Sequence, residues 1–214
     1  MTSITFPRLI PTVGAMAQSF EPEEVSFLSP EAGGALGAVT AGFTRWVMRV
    51  TLNNMRFDDA DIWRAWLAVQ RGPQRQFIAF DIDRQHPRYH SAGRPYNPTP
   101  TSWSQSVNSD DLVILTLQGL LPGQVVSIGD YVGFVWSSSK RALVRAVETV
   151  RADASGEAAF AVEPPVPPVV PSGAAVTLRQ AGCLMRLKER QLGEQGLGYF
   201  TGGSTIVAAQ DLIA

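Results

Sequence analysis

The two histidines are the residues best suited to metal chemistry in this 214-residue chain. His86 and His90 stand four positions apart, a spacing that places two ring nitrogens on one face of a helix. Pro87 lies between them and disfavours a helix, and the carboxylates Asp81 and Asp83 are near only along the chain. The sequence therefore predicts no metal site and no cofactor.

Carboxylate pairs and the single cysteine are the other reactive groups. Adjacent acids stand at Asp58 and Asp59 and at Asp110 and Asp111. Both pairs flank predicted element starts, where helix caps and solvated turns use acids, so we interpret them as structural and keep a paired-acid glycosidase as the alternative. Cys183 has no partner cysteine and is expected to be a small buried side chain. The sequence has no nucleophile elbow, zinc-protease motif or phosphate loop, so we predict no catalytic residues.

Charge and hydropathy narrow the class of protein. The formal net charge of -1 gives no overall field that would attract nucleic acid or an acidic membrane surface. No stretch approaches the roughly 18 apolar residues of a membrane span, and the first residues lack the pattern of a signal peptide. We therefore expect a protein that is made and used without export. Any binding of nucleic acid or an acidic membrane surface is expected to involve a local patch of the protein.

Periodicity predicts a mainly β protein with one flanking amphipathic α-helix. Residues Arg45 to Leu52 alternate apolar and polar side chains, as in a strand with one buried face. A helix over 59–71 follows, capped by Asp58 and ended at Gly72. The run from Phe77 to Ile82 is apolar on both faces, which predicts a strand covered by that helix on one side. The residues predicted to form the core are Trp46, Met48, Val50, Ile62, Trp63, Trp66, Leu67, Phe77 and Phe80.

Short apolar strands separated by turns fill the region from Leu120 to Glu189. The dipeptides Pro122-Gly123 and Ser155-Gly156 have the residue types that β-turns require. Turn signals recur roughly every 8 to 12 residues, which is typical of a small sandwich or barrel. The pattern predicts an antiparallel meander.

Three segments follow from these patterns. Residues 1–35 are interrupted by four prolines and are expected to form an extended arm or edge segment with long loops. Residues 36–188 are predicted to form one β-rich core domain. The Gly-rich segment 189–214 is expected either to complete the sheet with a final strand or to reach a neighbouring subunit.

The irregular segment 83–108 is the best candidate for a contact loop. Loops of this length without secondary structure are usually functional or disordered. Arginine and aromatic residues of this kind are enriched at protein interfaces, and a flexible surface excursion is the alternative. Together with two aromatic residues near the C-terminus, the candidate subunit-interface residues are Arg84, His86, Arg88, Tyr89, Arg94, Tyr96, Trp103, Tyr199 and Phe200.

The order of these elements resembles the small tail-tip (baseplate) proteins of long-tailed, non-contractile bacteriophages. The similarity begins with the strand Arg45 to Leu52 and continues through the helix Ala60 to Ala68 and the strand Phe77 to Ile82. It then includes the meander around Pro122-Gly123 and Ile128-Gly129-Asp130, followed by Ala158 to Pro165 before Met185. Within that group the chain is most similar to a distal tail protein.

The resemblance implies a structural virion protein and no enzyme. Distal tail proteins of such phages form a hexameric ring between the tail tube and the tail-tip hub, around a lumen through which DNA passes as cargo. They have a tail-tube-like β-sandwich or barrel core with a flanking helix. The implied partners are further copies of the chain, the tail tube protein and the hub proteins, and the implied location is the phage tail tip after synthesis in the host cytoplasm. We expect no room for the C-terminal carbohydrate domain that larger members carry, which argues against direct receptor binding.

Three alternatives stay open. The first is another minor tail-tip protein of the same class of phage. The second is a carbohydrate-binding β-sandwich module, which needs exposed aromatic residues on a rigid platform, and Tyr89, Tyr96 and Trp103 are the best candidates for it. The third is a cell-wall hydrolase, which would need a nucleophile or metal site that the sequence does not display.

Overall fold

The structure is a computed structural model that describes residues 4–24, 26–30, 36–40, 43–52, 55–91, 93–137, 140–191, 194–196, 199–201 and 204–211. The chain is mainly β, with 45% strand and 11% helix, which confirms the predicted fold class. Helix α1 spans Phe57–Gln70. The strands β1 to β18 span, in chain order, Arg8–Leu9, Ala15–Glu23, Ser26–Pro30, Leu36–Thr40, Arg45–Leu52, Phe77–Phe80, Ser102–Val107, Val113–Gln118, Val125–Val126, Tyr131–Trp136, Lys140–Ala146, Val150–Arg151, Ala158–Glu163, Ala175–Thr177, Gly182–Gln191, Glu194–Gly196, Tyr199–Thr201 and Ser204–Gln210.

Two six-stranded sheets carry the fold. The first sheet has the strand order β1-β6-β15-β18-β5-β2, and the second has the order β14-β10-β11-β13-β8-β7. All strands of the second sheet lie between β6 and β15 along the chain, and Gly182 of β15 pairs with Phe80 of β6. The second sheet is therefore an insertion whose two ends meet on neighbouring strands of the first. Residues 36–188, predicted as one core domain, hold the whole second sheet but only β5, β6 and most of β15 of the first.

Each sheet has its own hydrophobic core. The first core joins the inner face of β5 to α1, where Trp66 packs edge-on against Phe77 with ring centroids 4.8 Å apart. The second core surrounds Phe134 and Phe160, which are fully buried. Every residue predicted to lie in the core is buried except Ile62, which is 47% exposed.

The exposure of Ile62 follows from the phase of α1. The buried residues of the helix are Ala60, Trp63, Trp66, Leu67 and Gln70. These positions recur at the three- and four-residue spacing of one helix face, and position 62 lies to the side of it. The core prediction for Ile62 was therefore wrong, because an apolar residue next to a helical stripe was counted as part of it.

The ends of α1 differ from the predicted ones. The helix begins at Phe57, so Asp58 lies in the first turn, and the predicted cap at Asp58 is wrong. Arg56 occupies the N-cap position without a side-chain hydrogen bond, and the acids of the first turn still lie near the positive end of the helix dipole. Arg71 ends the helix in the left-handed conformation with φ 52°, and its N–H donates to the carbonyl of Ala68.

The two terminal segments both contribute to the first sheet. Strands β1 and β2 form its two edges, and Phe20 of β2 is buried, so much of the described N-terminal segment is an edge segment of the sheet. Strand β18 lies between β15 and β5, with Ile206 fully buried. The C-terminal segment thus completes the sheet, which was one of the two expected arrangements.

Glutamine side chains bridge gaps where strands do not pair. The Gln18 amide of β2 donates to the carbonyl of Phe80 at 3.0 Å and accepts the N–H of Ile82 at 2.6 Å. In the second sheet, the Gln105 amide of β7 accepts the N–H of Val166 at 2.8 Å and donates to its carbonyl at 3.5 Å. A primary amide carries the same donor and acceptor as a peptide group, so each glutamine acts as one rung of a ladder.

Replacing Gln18 by Ala should destabilise the protein by about 1–3 kcal/mol, because the Ile82 N–H and the Phe80 carbonyl lose their bonds from the Gln18 side chain. Urea unfolding followed by circular dichroism measures the change. The matched control is Gln74→Ala at an exposed position, for which we expect a change within about 0.5 kcal/mol. Equal effects at the two sites would contradict the role given to Gln18.

Truncation after Lys188 should unfold the first sheet, since it removes the interior strand β18 that pairs with both β15 and β5. The expected result is insoluble protein, or soluble protein without a cooperative thermal transition for this part of the fold. Differential scanning calorimetry tests this. A truncated protein with the melting temperature of the full chain would show that β18 is dispensable.

Candidate functional site

The segment 83–108 is more regular than the sequence predicted. A single 3-10 turn covers Arg88–His90, and strand β7 begins at Ser102. The irregular part therefore ends before β7, and the predicted loop was too long at its C-terminal end. The error arose because β7 is mostly polar and exposed, so it lacks the apolar alternation by which a strand is recognised.

Buried polar side chains of the second sheet anchor this segment. The backbone N–H of Arg88 donates to Oδ1 of Asp130 at 2.8 Å. Further along, the Gln124 amide accepts the N–H of Asn97 at 2.9 Å and donates to the Asn97 carbonyl at 3.2 Å. Asp130 and Gln124 are each 2% exposed. The segment thus packs on its own subunit and presents only part of its side chains outward.

Asp130 is the carboxylate with the most complete burial among the described residues. Its Oδ2 accepts the backbone N–H of Ser127 at 2.8 Å, in addition to the Arg88 bond on Oδ1. Burial raises the pKa of Asp130 from its ordinary value, although the two backbone donors and the charges of Arg84 and His90 oppose that shift. Asp130 therefore fixes the start of the loop to the turn before β10.

The two histidines act as hydrogen-bonding partners. Nδ1 of His86 lies 2.8 Å from the hydroxyl of Tyr96, and Nε2 of His90 accepts the N–H of Val125 at 3.2 Å. His90 is 5% exposed. Within the described residues, no three His, Cys, Asp or Glu side chains come together in a way that could hold a metal ion.

Two of the predicted interface residues face inward instead. Tyr96 and Trp103 are half-buried against the second core, and the Trp103 ring packs edge-on against Phe134 at 4.8 Å. Neither ring forms an exposed platform, and their place in a subunit interface stays a prediction. Tyr199 and Phe200 belong to β17, but their side chains lie outside the part of the chain that the structure describes.

The outward side of the segment carries an aromatic residue and three arginines. Tyr89 is 39% exposed, and the guanidinium carbon of Arg94 lies 4.3 Å above its ring. Arg84 donates to the carbonyl of Gly129 at 2.8 Å, and Arg88 is exposed. None of these arginines forms an ion pair with another described residue. We name Arg84, Arg88, Tyr89 and Arg94 the arginine loop.

An open cleft of about 460 Å³ lies where the two sheets meet, next to the arginine loop. Its walls include Glu21 of the first sheet and Arg145 of the second, which form an ion pair of 2.7 Å. Burial, followed by the neighbouring charge of Asp81, raises the pKa of Tyr131 in the same cleft. The ion pair of Glu21 and Arg145 spans the cleft and joins the two sheets.

A smaller crevice of about 120 Å³ also lies between the sheets. Its lining includes Phe43, Leu143 and three prolines, Pro164, Pro165 and Pro167, and we name it the proline crevice. Phe43 is 66% exposed.

One carboxylate, Glu163, is next in the chain to the proline crevice. Glu163 directly precedes Pro164, and burial together with the charge of Glu24 raises its pKa from the ordinary value. Neither Glu24 nor Glu163 forms an ion pair within the described part of the chain.

Cys183 is fully buried, as the sequence predicted, and burial raises the pKa of its thiol.

No protein-family model matches the chain, and no curated protein shows significant similarity to it. Among the described helices, none has the length and apolar character needed to cross a membrane. Two surfaces beside the contact between the sheets form the candidate site. They are the arginine loop and the proline crevice.

The stability conferred by Asp130 should depend on pH. Folding raises the pKa of the Asp130 carboxyl, so the folded state binds this proton more tightly than the unfolded state does. The resulting stabilisation is complete below the unfolded pKa of about 3.9 and is lost as pH rises through the raised folded pKa. We expect the free energy of unfolding of the wild type, minus that of Asp130→Asn, to grow as pH falls from about 7 towards about 4. Urea titrations at several pH values measure it.

Asp153→Asn is the matched control for this experiment. The backbone N–H of Glu157, followed by the hydroxyl of Ser155, lowers the pKa of Asp153. Its contribution is present above the unfolded pKa and is lost as pH falls through the folded value. The difference between the wild type and this variant should therefore shrink as pH falls, and the same trend in both variants would contradict the assignment at Asp130.

Proposed function

We propose that this protein is a structural subunit of the tail tip of a long-tailed, non-contractile bacteriophage, and that it forms a ring of the distal tail type. The observation that carries the proposal is a two-stranded arm formed by β3 and β4. The β2–β5 ladder ends at the pair Glu23 and Arg45, and the β3–β4 ladder begins at Ser26 and Thr40. The arm thus continues an edge of the first sheet and pairs with no other described strand.

The composition of the arm supports a covered position in an assembly. Residues 25–44 contain a single charged residue, Glu31, and Phe27 at the start of β3 is 63% exposed. An isolated two-stranded hairpin is marginally stable in water, and its unpaired edges invite another chain to pair with them. A neighbouring subunit would cover both the apolar side chains and the free edges.

A closed ring is the assembly that fits this arrangement. Each arm contacts the next subunit, and the last subunit contacts the first, so no arm stays uncovered. The lumen of the ring would let DNA pass, and its two faces would contact the tail tube protein and the hub proteins of the tip. We infer that the protein has a structural role without catalysis. Another minor tail-tip protein with the same core is the second candidate.

The carbohydrate-binding alternative has less support. It needs exposed aromatic side chains on a rigid surface, but Tyr96 and Trp103 pack against the second core. Tyr89 is the most exposed of the three candidate rings, at 39%, and the guanidinium of Arg94 lies over it. One covered ring is a poor platform for a sugar.

The mass of the purified protein in solution, combined with negative-stain images, tests the proposal. We expect a ring with six-fold symmetry. A protein that stays monomeric at high concentration and binds glycans on an array would overturn the ring and favour the carbohydrate-binding module.

Replacing Phe27 by Asp should abolish ring formation while the monomer keeps its melting temperature, because the side chain is exposed and belongs to the arm. Val107→Asp is the matched control, since Val107 is 61% exposed and ends β7 of the second sheet. Size-exclusion chromatography with light scattering measures both variants. Loss of the ring in both, or in neither, would contradict the role of the arm.

A further inference from the structure

The open cleft between the sheets is lined by an arginine that forms no ion pair with the described residues. Of the two arginines in its wall, Arg145 pairs with Glu21, whereas Arg84 has no such partner. The carboxylate Asp81 also lines the cleft, and its Oδ1 accepts the backbone N–H groups of Asp83 and Arg84 at 3.0 and 3.2 Å. Asp81 therefore closes a turn of its own chain, and the guanidinium of Arg84 keeps an unpaired charge in the cleft wall.

The guanidinium of Arg84 is held on the turn between β9 and β10. Its Nη1 donates to the carbonyl of Gly129 at 2.8 Å, and a Cβ at Gly129 would collide with the same nitrogen. Gly129 has φ 83°, a conformation that favours glycine. A guanidinium has five N–H donors, and the bond to Gly129 uses one of them. The turn thus orients an exposed cation before any ligand binds, which reduces the entropy lost on binding.

Two exposed aliphatic side chains form the apolar part of the same cleft. Ile128 is 56% exposed, Val147 is 41% exposed, and both line the cleft together with Arg84. The N–H of Ile128 donates to Oγ1 of Thr149 at 2.9 Å, which joins the two turns that carry these side chains. An unpaired guanidinium beside exposed apolar surface is complementary to a ligand with a carboxylate next to an apolar side chain.

Further positive charge extends beyond the cleft along the arginine loop. Arg88 and Arg94 are exposed, and neither forms an ion pair with a described residue. Arg94 stacks on Tyr89, so its guanidinium is also held in place. Asp83 is the single acidic residue of segment 83–108. A ligand that reaches all three arginines must therefore be extended and must carry more than one negative charge.

A phosphate polymer fits this surface less well than a peptide does. The carboxylates Glu21 and Asp81 stand in the cleft wall, and Glu148 is exposed next to Val147. These acids repel a ligand with a negative charge on every unit, such as a nucleic acid, whereas a peptide can place apolar residues between its carboxylates. The formal net charge of -1 adds no general attraction for a polyanion.

We propose that the cleft and the arginine loop bind an extended segment of a partner protein in which acidic residues alternate with apolar ones. One carboxylate accepts hydrogen bonds from Arg84, and the neighbouring apolar side chain lies against Ile128 and Val147. Further carboxylates accept hydrogen bonds from Arg88 and Arg94. A single subunit carries the whole site, so this inference goes beyond the proposed ring and does not depend on it.

A fluorescein-labelled peptide in which glutamate alternates with leucine is the probe, and fluorescence polarisation measures its binding to the full chain. Arg84→Gln should raise the Kd about tenfold, because a charge-assisted hydrogen bond to the peptide is lost. Arg88→Gln, in which only an exposed side chain changes, should weaken binding in the same direction. The matched control is Arg49→Gln in β5, which removes an exposed arginine outside the site and should leave the Kd unchanged. Thermal melting checks that each variant is folded.

The apolar contact has its own test. Ile128→Ser should also raise the Kd, whereas Val169→Ser should not, since Val169 is equally exposed but lies outside the cleft. A peptide with glutamine in place of every glutamate should not bind. Retained binding of that peptide would show that the arginines are not the recognition groups.

The remaining outcomes decide against the site. Absence of saturable binding of the alternating peptide overturns it, and so does an equal loss of affinity in Arg84→Gln and Arg49→Gln. Tighter binding of a labelled oligothymidylate than of the peptide overturns the peptide as ligand and assigns the loop to phosphate. A wild-type protein that stays monomeric but binds the peptide overturns only the ring, so the two proposals fail separately.

Discussion

The contact of Trp46 with the second sheet is the interaction on which the rest of the structure depends. Trp46 belongs to β5 of the first sheet, and its indole N–H donates to the carbonyl of Leu143 in β11 at 2.8 Å, in a fully buried position. Its ring stacks on Phe20 at 5.3 Å and meets Tyr131 edge-on at 5.7 Å. Such aromatic pairs contribute about 0.5–1.5 kcal/mol each beyond the area they bury. The cluster fixes one sheet against the other and thereby sets where the cleft and the proline crevice lie.

The inserted position of the second sheet makes this contact necessary. The insertion is joined to the first sheet at β6 and β15 only, and two chain crossings alone would leave the sheets free to move. The ion pair between Arg145 and Glu21 adds to the contact, but both side chains are partly exposed, so its contribution is modest. Packing of the aromatic cluster therefore stabilises the contact between the sheets more than the ion pair does.

Two glutamine side chains replace missing strand pairs within the subunit, whereas the β3–β4 arm lies outside both six-stranded sheets. The amides of Gln18 and Gln105 supply rungs where strands do not meet. The β3–β4 arm has no such device among the described residues. An apolar two-stranded hairpin with unpaired edges is marginally stable alone in water, which is why the proposed assembly starts from this arm.

The sequence alone determined the fold class, the single helix and the core residues Trp46, Trp63 and Trp66, because burial at regular spacing follows from backbone geometry that acts over a few residues. It also identified the arginines of segment 83–108 as candidates for an outward-facing surface. Only the tertiary structure decided that the second sheet is an insertion, that β18 is an interior strand and that Tyr96 and Trp103 turn inward. These outcomes depend on pairings and contacts between residues far apart in the chain. No local pattern encodes which distant surface a side chain meets.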